Sequence, residues 1–347
     1  MPSVVVPSGE QQVRADRSGR VLISVVFSFR NEAEIIPAVV ARLDAVFATE
    51  NVQYELLFVN DASTDGSLAV LLSERERNPR VKILTMSRRF GVGECLLAGL
   101  AAAGGDAVVY LDTDLQDPPE VIPAMLARWR AGADVVHTVR TRRRGENVLK
   151  MWATAIAYRV IQFGSTLRLP VDAGDFKLLS RTVVEHMLRL RESDPYTRGL
   201  VVWIGFNQAF VPYERAPRLT GATHFPFFSR GPWKAFIVGL TSFSFLPIYA
   251  CAVLAAVGLL SAFLLLVTAL VLLMKGSPIT TSMGIAGLVA FLWATTVGAV
   301  AVVGLYVIRI YKDVRGRPPY IVQSTVGISP ATRTAHDAAA VRAEHAE

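Results

Sequence analysis

The chain has 347 residues with a formal net charge of +7, and 52% of them are hydrophobic, which is more than an average soluble enzyme contains. Part of the chain is therefore expected to lie in lipid, and the positive charge alone suits nucleic acid, an anionic membrane or phosphate-bearing substrates equally well. The two cysteines, Cys95 and Cys251, are too few for a disulfide framework or a thiolate metal site, which suits a reducing compartment.

The N-terminal segment, residues 1–20, has charged residues but lacks the apolar stretch of a cleaved signal peptide. We expect it to be flexible and to remain in the cytoplasm. From residue 21 to about residue 140, short β-branched runs alternate with segments of helical period, which is typical of a parallel sheet covered by helices. The predicted strands are residues 21–29, 54–60, 81–87, 107–111 and 134–139.

Residues 151–213 are predicted to complete the same α/β domain, which as a whole spans residues 21–228. Helices are expected at residues 151–163 and near residues 181–191, with a loop at residues 166–175. Because this part contains no linker, we predict a single globular domain.

Residues 229–245 have one apolar helical face, which includes Trp233, while Lys234 lies off it. A helix of this kind rests in the membrane interface, although an ordinary surface helix can have the same pattern. Two stretches without a charge follow, and each is longer than the ~20 residues that cross a bilayer. We predict transmembrane helices at residues 246–275 and 279–309.

Basic residues flank this pair of helices on both sides. They are Arg230 and Lys234 before it and Arg309, Lys312, Arg315 and Arg317 after it, against Lys275 alone in the connection. The positive-inside bias therefore places both flanks in the cytoplasm and predicts an integral protein of the inner (plasma) membrane. The last segment, residues 310–347, is predicted as a cytoplasmic tail that is disordered or only loosely helical from about residue 324.

The strongest local signal is the acidic run at residues 112–117, directly after the fourth predicted strand. Carboxylates at this end of a parallel strand lie where such sheets bind ligands. Asp112 and Asp114, with Gln116, can offer oxygens to one Mg²⁺ or Mn²⁺, which would then hold a diphosphate. The alternative is a helix N-cap cluster, and Asp117 is the predicted N-cap of the next helix.

The ends of the first two predicted strands are also polar. They supply Ser28, Arg30 and Glu32 at the end of the first strand, and Asn60 and Asp61 at the end of the second. Because Asp65 or Thr64 is expected to cap the following helix, Asn60 and Asp61 are left free to hydrogen-bond a base or a ribose. Three strand ends thus converge on one polar crevice.

A basic run follows the fifth predicted strand and comprises Arg140, Arg142, Arg143 and Arg144. It either clamps phosphates at the same crevice or forms a solvated loop, and the sequence favours neither. Gly91-Val92-Gly93 is not interpreted as a dinucleotide fingerprint, because Leu96 stands where the third glycine would be. The five histidines have no metal-ligand spacing.

Several segments together resemble the polyisoprenyl-phosphate glycosyltransferases of glycosyltransferase family 2, which include bactoprenol glucosyltransferases and dolichol-phosphate mannose synthases. They are residues 23–32, 60–66, 87–91, 112–119 and 172–181, with shorter matches such as Arg198-Gly199-Leu200. The resemblance covers roughly residues 21–322. The two C-terminal membrane helices are similar to the bactoprenol glucosyltransferase branch.

This resemblance implies a GT-A fold, which is a Rossmann-like mixed sheet, followed by the interfacial helix and the two transmembrane helices. It implies a divalent metal, Mg²⁺ or Mn²⁺, at Asp114 and Gln116 with Asp112 close by. It assigns nucleotide-sugar contacts to Ser28, Arg30, Glu32, Asn60, Asp61 and Asp112. Phosphate contacts are predicted separately for Arg140, Arg142, Arg143 and Arg198. The resemblance places Asp172 and Asp175, with Asp112, at the catalytic centre.

The implied reaction is an inverting transfer of a sugar from a nucleotide-sugar to a polyisoprenyl phosphate such as undecaprenyl phosphate, for the cell envelope. UDP-glucose is the first choice of donor by analogy. A phosphate monoester is already anionic near neutral pH, so no strong general base is needed. Asp172 or Asp175 is then expected to orient the sugar or to stabilise positive charge at the anomeric carbon. The expected partners are membrane lipid and no nucleic acid, and association with a second copy of the chain is left open.

Two other functions are weighed against this one. A processive polysaccharide synthase would share the nucleotide-sugar crevice, but it usually has more membrane spans and a Gln-x-x-Arg-Trp motif, and Met125 stands at the Gln position before Arg128-Trp129. A catalytically silent nucleotide-sugar-binding membrane subunit would not need a metal site, and the intact Asp112, Asp114 and Gln116 argue against it.

Overall fold

A computed structural model describes Arg17, Arg159 and residues 21–143, 173–190, 192–215, 230–275 and 278–328. These residues form one eight-stranded mixed sheet with helices on both faces. The strands are β1 (Leu22–Phe29), β2 (Gln53–Asn60), β3 (Val81–Met86), β4 (Ala107–Asp112), β5 (Val135–Arg143), β6 (Ala173–Ser180), β7 (Gln208–Arg215) and β8 (Val322–Val326). Their order across the sheet is β7-β5-β6-β4-β1-β2-β3-β8.

The centre of the sheet is parallel, as predicted, since β4, β1, β2 and β3 run in one direction. Their apolar runs are buried on both faces, which is why the sequence there shows continuous hydrophobic stretches. The five predicted strands are confirmed, with boundary shifts of one residue in the first four. The fifth is longer than predicted, because β5 continues through the basic run to Arg143.

Helices cover both faces of the sheet. They are α1 (Ile36–Ala48), α2 (Ser67–Arg77), α3 (Val92–Ala102), α4 (Ile122–Arg130), α5 (Arg181–Arg189) and α6 (Thr197–Trp203). The apolar stripes of α1 and α4 pack into one hydrophobic core, and those of α3 and α5 pack into a second core on the opposite face. The predicted helix at residues 151–163 lies outside the described residues.

Three strands were not predicted, and two of them contradict an expectation. The expected loop at residues 166–175 is wrong at its end, because β6 begins at Ala173 and runs antiparallel to β4 and β5. The tail expected to lack structure from residue 324 instead contributes β8, which pairs antiparallel with β3. The amide of Ser87 also donates to the carbonyl of Ile321 at 3.0 Å. The C-terminal part of the chain therefore returns to the central sheet.

One described residue of the N-terminal segment contacts the sheet domain, and the flexibility of the segment stays a prediction. Arg17 donates to the carbonyls of Trp129 and Ala133 at 2.6 and 2.9 Å and pairs with Asp134 at 2.6 Å. Its guanidinium also lies 5.2 Å from the centre of the Trp129 ring. These contacts fasten residue 17 to the end of α4.

Three further helices follow the sheet domain: α7 (Arg230–Phe243), α8 (Leu246–Met274) and α9 (Pro278–Val314). Two of them, α8 and α9, are long and apolar enough to cross a membrane, and their surfaces are exposed in the isolated chain. The 37 residues of α9 extend about 55 Å, which exceeds the ~30 Å hydrocarbon layer. The helix thus continues past its predicted end at residue 309 into the segment expected to be tail.

Candidate active site

The predicted convergence of strand ends is present in the structure. In the register of the sheet, Ser28 on β1 is paired with Asp112 on β4, and Phe29 is paired with Asn60 on β2. The carboxyl ends of these three neighbouring strands therefore lie side by side. The loops that follow them form one polar edge of the sheet, which is where doubly wound sheets bind ligands.

The loops after β1 and β2 are fastened to each other. Asn31 has a left-handed backbone, with φ 57°, and its amide donates to the Ser63 hydroxyl at 3.0 Å. Its side-chain oxygen accepts from the Thr64 amide at 2.8 Å. Asp65 accepts from the amide of Ser67, the first residue of α2, at 3.1 Å, although the N-cap position itself is occupied by Gly66 and not by the predicted Asp65 or Thr64. Local side-chain bonds thus fix the crevice wall that carries Ser28, Arg30 and Glu32.

Asn60 and Asp61 are not free, contrary to prediction. The side-chain oxygen of Asn60 accepts from the Ser63 amide at 2.8 Å. Asp61 accepts from the amides of Phe90 and Gly91 at 2.7 and 3.2 Å, so it holds the loop between β3 and α3. Both side chains are buried. They shape the crevice, and a contact from either of them to a nucleotide stays a prediction.

The acidic loop after β4 concentrates negative charge. Asp114 accepts from the Gln116 amide at 3.1 Å, and the turn is completed by Leu115, which has φ 53°. Removal from water, then the charges of Asp175 and Asp114, raise the pKa of Asp112 to about 7. Carboxylates that raise one another's pKa in this way are stabilised by a bound cation.

The donor set of this loop fits a hard divalent cation that arrives with a diphosphate. Among the described residues, no three His, Cys, Asp or Glu side chains are arranged to hold a metal by themselves. Mg²⁺, however, is usually held by one or two carboxylates together with substrate phosphates and water. Asp112, Asp114 and Gln116 can supply that partial set of oxygens.

Asp117 is not a helix N-cap, contrary to prediction. A 3-10 turn at Pro119–Val121 precedes α4, and no side chain caps it. The carboxylate of Asp117, only 1% exposed, instead accepts a hydrogen bond from the Tyr213 hydroxyl and lies 3.6 Å from Arg140 and 3.4 Å from Arg215. Half-buried cations on β5 and β7 thus stabilise this carboxylate, which ties the acidic loop to the edge of the sheet.

The basic run is part of a strand and not of a loop. Arg140 is half-buried in charge contacts, since its Nε also donates to the Tyr213 hydroxyl at 3.0 Å. In the backbone of β5, Arg142 and Arg143 pair with Glu214 and Arg215. The side chains of Arg142 and Arg143, and all of Arg144, lie outside the described residues. A phosphate clamp made by this run stays a prediction, and Arg140 would contribute to it only by giving up existing partners.

Asp175 and Arg198 form a two-point ion pair. Nε of Arg198 donates to one carboxylate oxygen at 2.7 Å, and Nη2 donates to the other. Burial by itself would raise the pKa of Asp175, but the charges of Arg198, and next those of Lys177 and Arg140, hold this pKa well below its usual range. Asp175 is therefore a fixed negative charge, and not a group that exchanges protons near neutral pH. The other predicted catalytic carboxylate, Asp172, lies outside the described residues.

Two residues near this pair were not predicted. Lys177 and Tyr110 are register partners on β6 and β4, and both are buried. Burial lowers the pKa of Lys177 to about 8, although the charge of Asp175 opposes the shift. The alternation of Asp175, Phe176 and Lys177 along a strand places the two charged residues on one face. That signal was available in the sequence once β6 was recognised.

The chain matches one protein-family model and several known proteins. The model described as Glycosyl transferase family 2 matches residues 24–188. Uncharacterized glycosyltransferase YkcC of Bacillus subtilis (strain 168) is 38% identical over 315 residues, which cover 90% of this chain and 96% of that protein. The SfII prophage-derived bactoprenol glucosyl transferase of Shigella flexneri is 33% identical over 307 residues, covering 87% and 98%. Among solved structures, the mannosyltransferase PcManGT from Pyrobaculum calidifontis, in complex with GDP-Man and Mn²⁺, matches with a TM-score of 0.39 at 21% identity, over 83% of this chain and 90% of that one.

Proposed function

Because the chain belongs to glycosyltransferase family 2, we propose that it transfers one sugar from a nucleotide-sugar to a polyisoprenyl phosphate, such as undecaprenyl phosphate, at the cytoplasmic face of the membrane. The family assignment and the mixed GT-A sheet agree with the sequence-based prediction. The relatives named bactoprenol glucosyl transferase, aligned over 87% of this chain, support the lipid acceptor and favour glucose from UDP-glucose as the sugar.

The donor is proposed to lie along the ends of β1, β2 and β4. Ser28 at the end of β1, with Arg30 and Glu32 on the loop that follows, is proposed to contact it, and Asn60 and Asp61 shape the end of β2. Asp112, Asp114 and Gln116 would hold Mg²⁺ or Mn²⁺, which when bound supplies positive charge next to the leaving diphosphate. Arg140, Arg142 and Arg143 are proposed to add positive charge from β5.

The acceptor needs little activation, because its phosphate is already anionic. A phosphate oxygen attacks the anomeric carbon from the face opposite the nucleotide, a new C–O bond forms, and the bond to the diphosphate breaks with its electron pair. The product is inverted at that carbon. Asp175, kept ionised by Arg198, is suited to stabilise the positive charge that develops on the sugar, as carboxylates do in other glycosyl transfers. Asp172 is proposed to share this task.

The observation that carries the proposal is the connection between this crevice and two apolar helices. The end of α9 contacts the segment that leads to Arg198, since Lys312 pairs with Asp194 at 2.6 Å. The basic residues that flank α8 and α9 favour a cytoplasmic position for both ends. A crevice joined in this way to the base of a membrane helix suits an acceptor whose phosphate lies at the lipid headgroups.

The proposal is tested with the purified full chain in lipid nanodiscs. Polyprenyl phosphate is supplied with a panel of nucleotide-sugars, with and without Mg²⁺ or Mn²⁺, and the lipid products are identified by mass. A metal-dependent lipid carrying one sugar is expected. Nucleotide-sugar binding without any product would instead indicate the silent subunit, and a growing polymer would indicate a processive synthase.

A further inference from the structure

The segment at residues 192–199 connects α5 to α6 and is held from two sides by the membrane-associated helices. It includes Arg198, the partner of Asp175. The last turns of α9 contact one side of this segment, and the last turn of α7 contacts the other. The position of Arg198 therefore depends on elements outside the catalytic sheet.

Helix α9 holds this segment through three polar contacts. Arg309 pairs with Glu192 at 3.1 Å, Lys312 pairs with Asp194 at 2.6 Å, and the Ser193 amide donates to Asp313 at 2.9 Å. The pair of Arg309 and Glu192 is the more shielded of the two ion pairs, with side chains 18% and 30% exposed. Arg309 also donates to the Val238 carbonyl at 3.3 Å and the Thr241 hydroxyl at 3.2 Å on α7. Arg309 thus joins α9, α7 and the catalytic domain at one point.

Helix α7 holds this segment through an aromatic ring that packs against a glycine. A Cβ atom placed on Gly199 would lie 2.2 Å from Cε2 of Phe243, so only a glycine lets the ring lie this close to α6. The rings of Phe243 and Tyr196 are 6.1 Å apart. The last turn of α7 therefore rests directly on the first turn of α6.

We propose that Arg309 and Phe243 are positioning residues, which act through Glu192 and Gly199 to hold Arg198 against Asp175. This inference rests on the proposed function for the nature of the reaction. The two hydrogen bonds from Arg198 require a fixed guanidinium plane. The loops after β1 and β2, where the donor is proposed to bind, make none of the described contacts that hold this segment. The inference treats Arg198 as the partner of Asp175 and not as the phosphate contact predicted from the sequence. Loosening these contacts should therefore lower turnover and leave the KM for the nucleotide-sugar unchanged, and a raised KM would contradict the inference.

The first test replaces Gly199 by alanine, which forces the Phe243 ring off α6. We expect kcat to fall by about tenfold, because small misplacements of catalytic groups cost this much or more. Gly298→Ala on α9 is the matched control, since no atom lies within 4 Å of the added Cβ. Phe243→Ala should lower kcat similarly. The Cβ added at Gly199 would also lie 2.8 Å from Cδ1 of Tyr196, so the double variant keeps part of the Gly199→Ala effect. Its loss of kcat should still be smaller than the product of the two single losses, because both changes remove the contact with Phe243.

The second test addresses α9. Arg309→Met should lower kcat, and Arg309→Lys, which keeps the charge that faces Glu192, should restore part of it. Hydrogen–deuterium exchange of α6, measured on the same preparations, should rise in Gly199→Ala and Arg309→Met. This exchange does not depend on the reaction. Faster exchange in the variants, combined with no sugar transfer by the unmodified chain, would therefore support the positioning contacts and reject the proposed function. The inference would be overturned if Gly199→Ala kept the kcat and the α6 exchange of the unmodified chain. It would also be overturned if the effects of Gly199→Ala and Phe243→Ala on kcat were additive in the double variant.

Discussion

The hydroxyl of Tyr213 on β7 donates a hydrogen bond to the carboxylate of Asp117, at the end of the acidic loop that follows β4. The two residues are 96 positions apart in the sequence. This bond links the outer strand of the sheet to the loop that carries Asp112 and Asp114, so the geometry of the proposed metal site depends on an edge strand.

Tyr213→Phe should destabilise the chain by about 1–3 kcal/mol, because a buried carboxylate oxygen loses its donor. Transfer activity should fall as well, since the acidic loop loses one of its anchors. The measurement is thermal unfolding and turnover of the purified variant. Tyr249→Phe is the control, because Tyr249 on α8 is 64% exposed. Equal stability and activity of the two variants would refute the role given to this bond.

Asp114→Asn should lower turnover by about 10²-fold or more, since it removes one negative charge from the set that would hold the metal beside the leaving diphosphate. The asparagine oxygen can still accept from the Gln116 amide, so the loop should keep its shape. Turnover is measured at saturating Mn²⁺. Glu120→Gln serves as the control, because Glu120 is 54% exposed and pairs only with Arg42 among the described residues. Unchanged turnover of Asp114→Asn would remove the metal assignment.

The buried imidazole of His137 is expected to make the folded chain less stable in acid. Burial, and then the charge of Lys177, lower its pKa to about 4, although the hydrogen bond to Gln208 opposes this shift. Above the usual pKa of about 6.5, the imidazole is neutral in both the folded and the unfolded chain, so it adds no pH dependence. Between pH 6.5 and about 4 only the unfolded chain gains the proton, and the free energy of unfolding should fall by up to about 3 kcal/mol.

The acid effect is isolated by comparison with variants. Denaturant unfolding is measured at pH 7, 5.5 and 4 for the unmodified chain, His137→Asn and His186→Asn. The decline in stability should be shallower in His137→Asn alone, because His186 is exposed. Parallel curves for all three proteins would show that the buried histidine does not cause the decline.

The hairpin topology predicts a pattern of chemical labelling. In a background with Cys95 and Cys251 replaced by alanine, Ser277→Cys should react with a membrane-impermeant thiol reagent in intact cells. Ser324→Cys, exposed on β8, should react only after permeabilisation, because β8 belongs to the catalytic sheet. Reaction of both cysteines from outside would mean that α8 and α9 do not form a spanning hairpin.

The sequence predicted the centre of the fold well and its edges poorly. Strands β1 to β4 are buried on both faces, so their apolar runs stand out. The half-exposed β7 and the polar β8, with sequence Val-Gln-Ser-Thr-Val, have no such signal. Burial of β1 to β4 on both faces requires unbroken apolar runs, whereas the charged Asp175 and Lys177 interrupt that pattern in β6.

The candidate site shows the same division. That the strand ends converge follows from the parallel pattern, and it was predicted. The wrong assignment of Asp117 came from a local preference for N-caps, whereas its actual partners Arg140, Tyr213 and Arg215 lie on distant strands. The pairing of Asp175 with Arg198 likewise joins residues 23 positions apart in different elements. Such partners depend on tertiary packing and leave no local pattern.

The most direct test of the central claim is the mass of the lipid formed from UDP-glucose and undecaprenyl phosphate by the full chain in nanodiscs with Mn²⁺. The account predicts undecaprenyl phosphate increased by the mass of one hexosyl residue, in an amount that rises with time and is absent with Asp114→Asn. An unchanged lipid, under conditions where UDP binding is measured in the same preparation and the other nucleotide-sugars also give no product, would contradict the claim that this chain glycosylates a lipid phosphate.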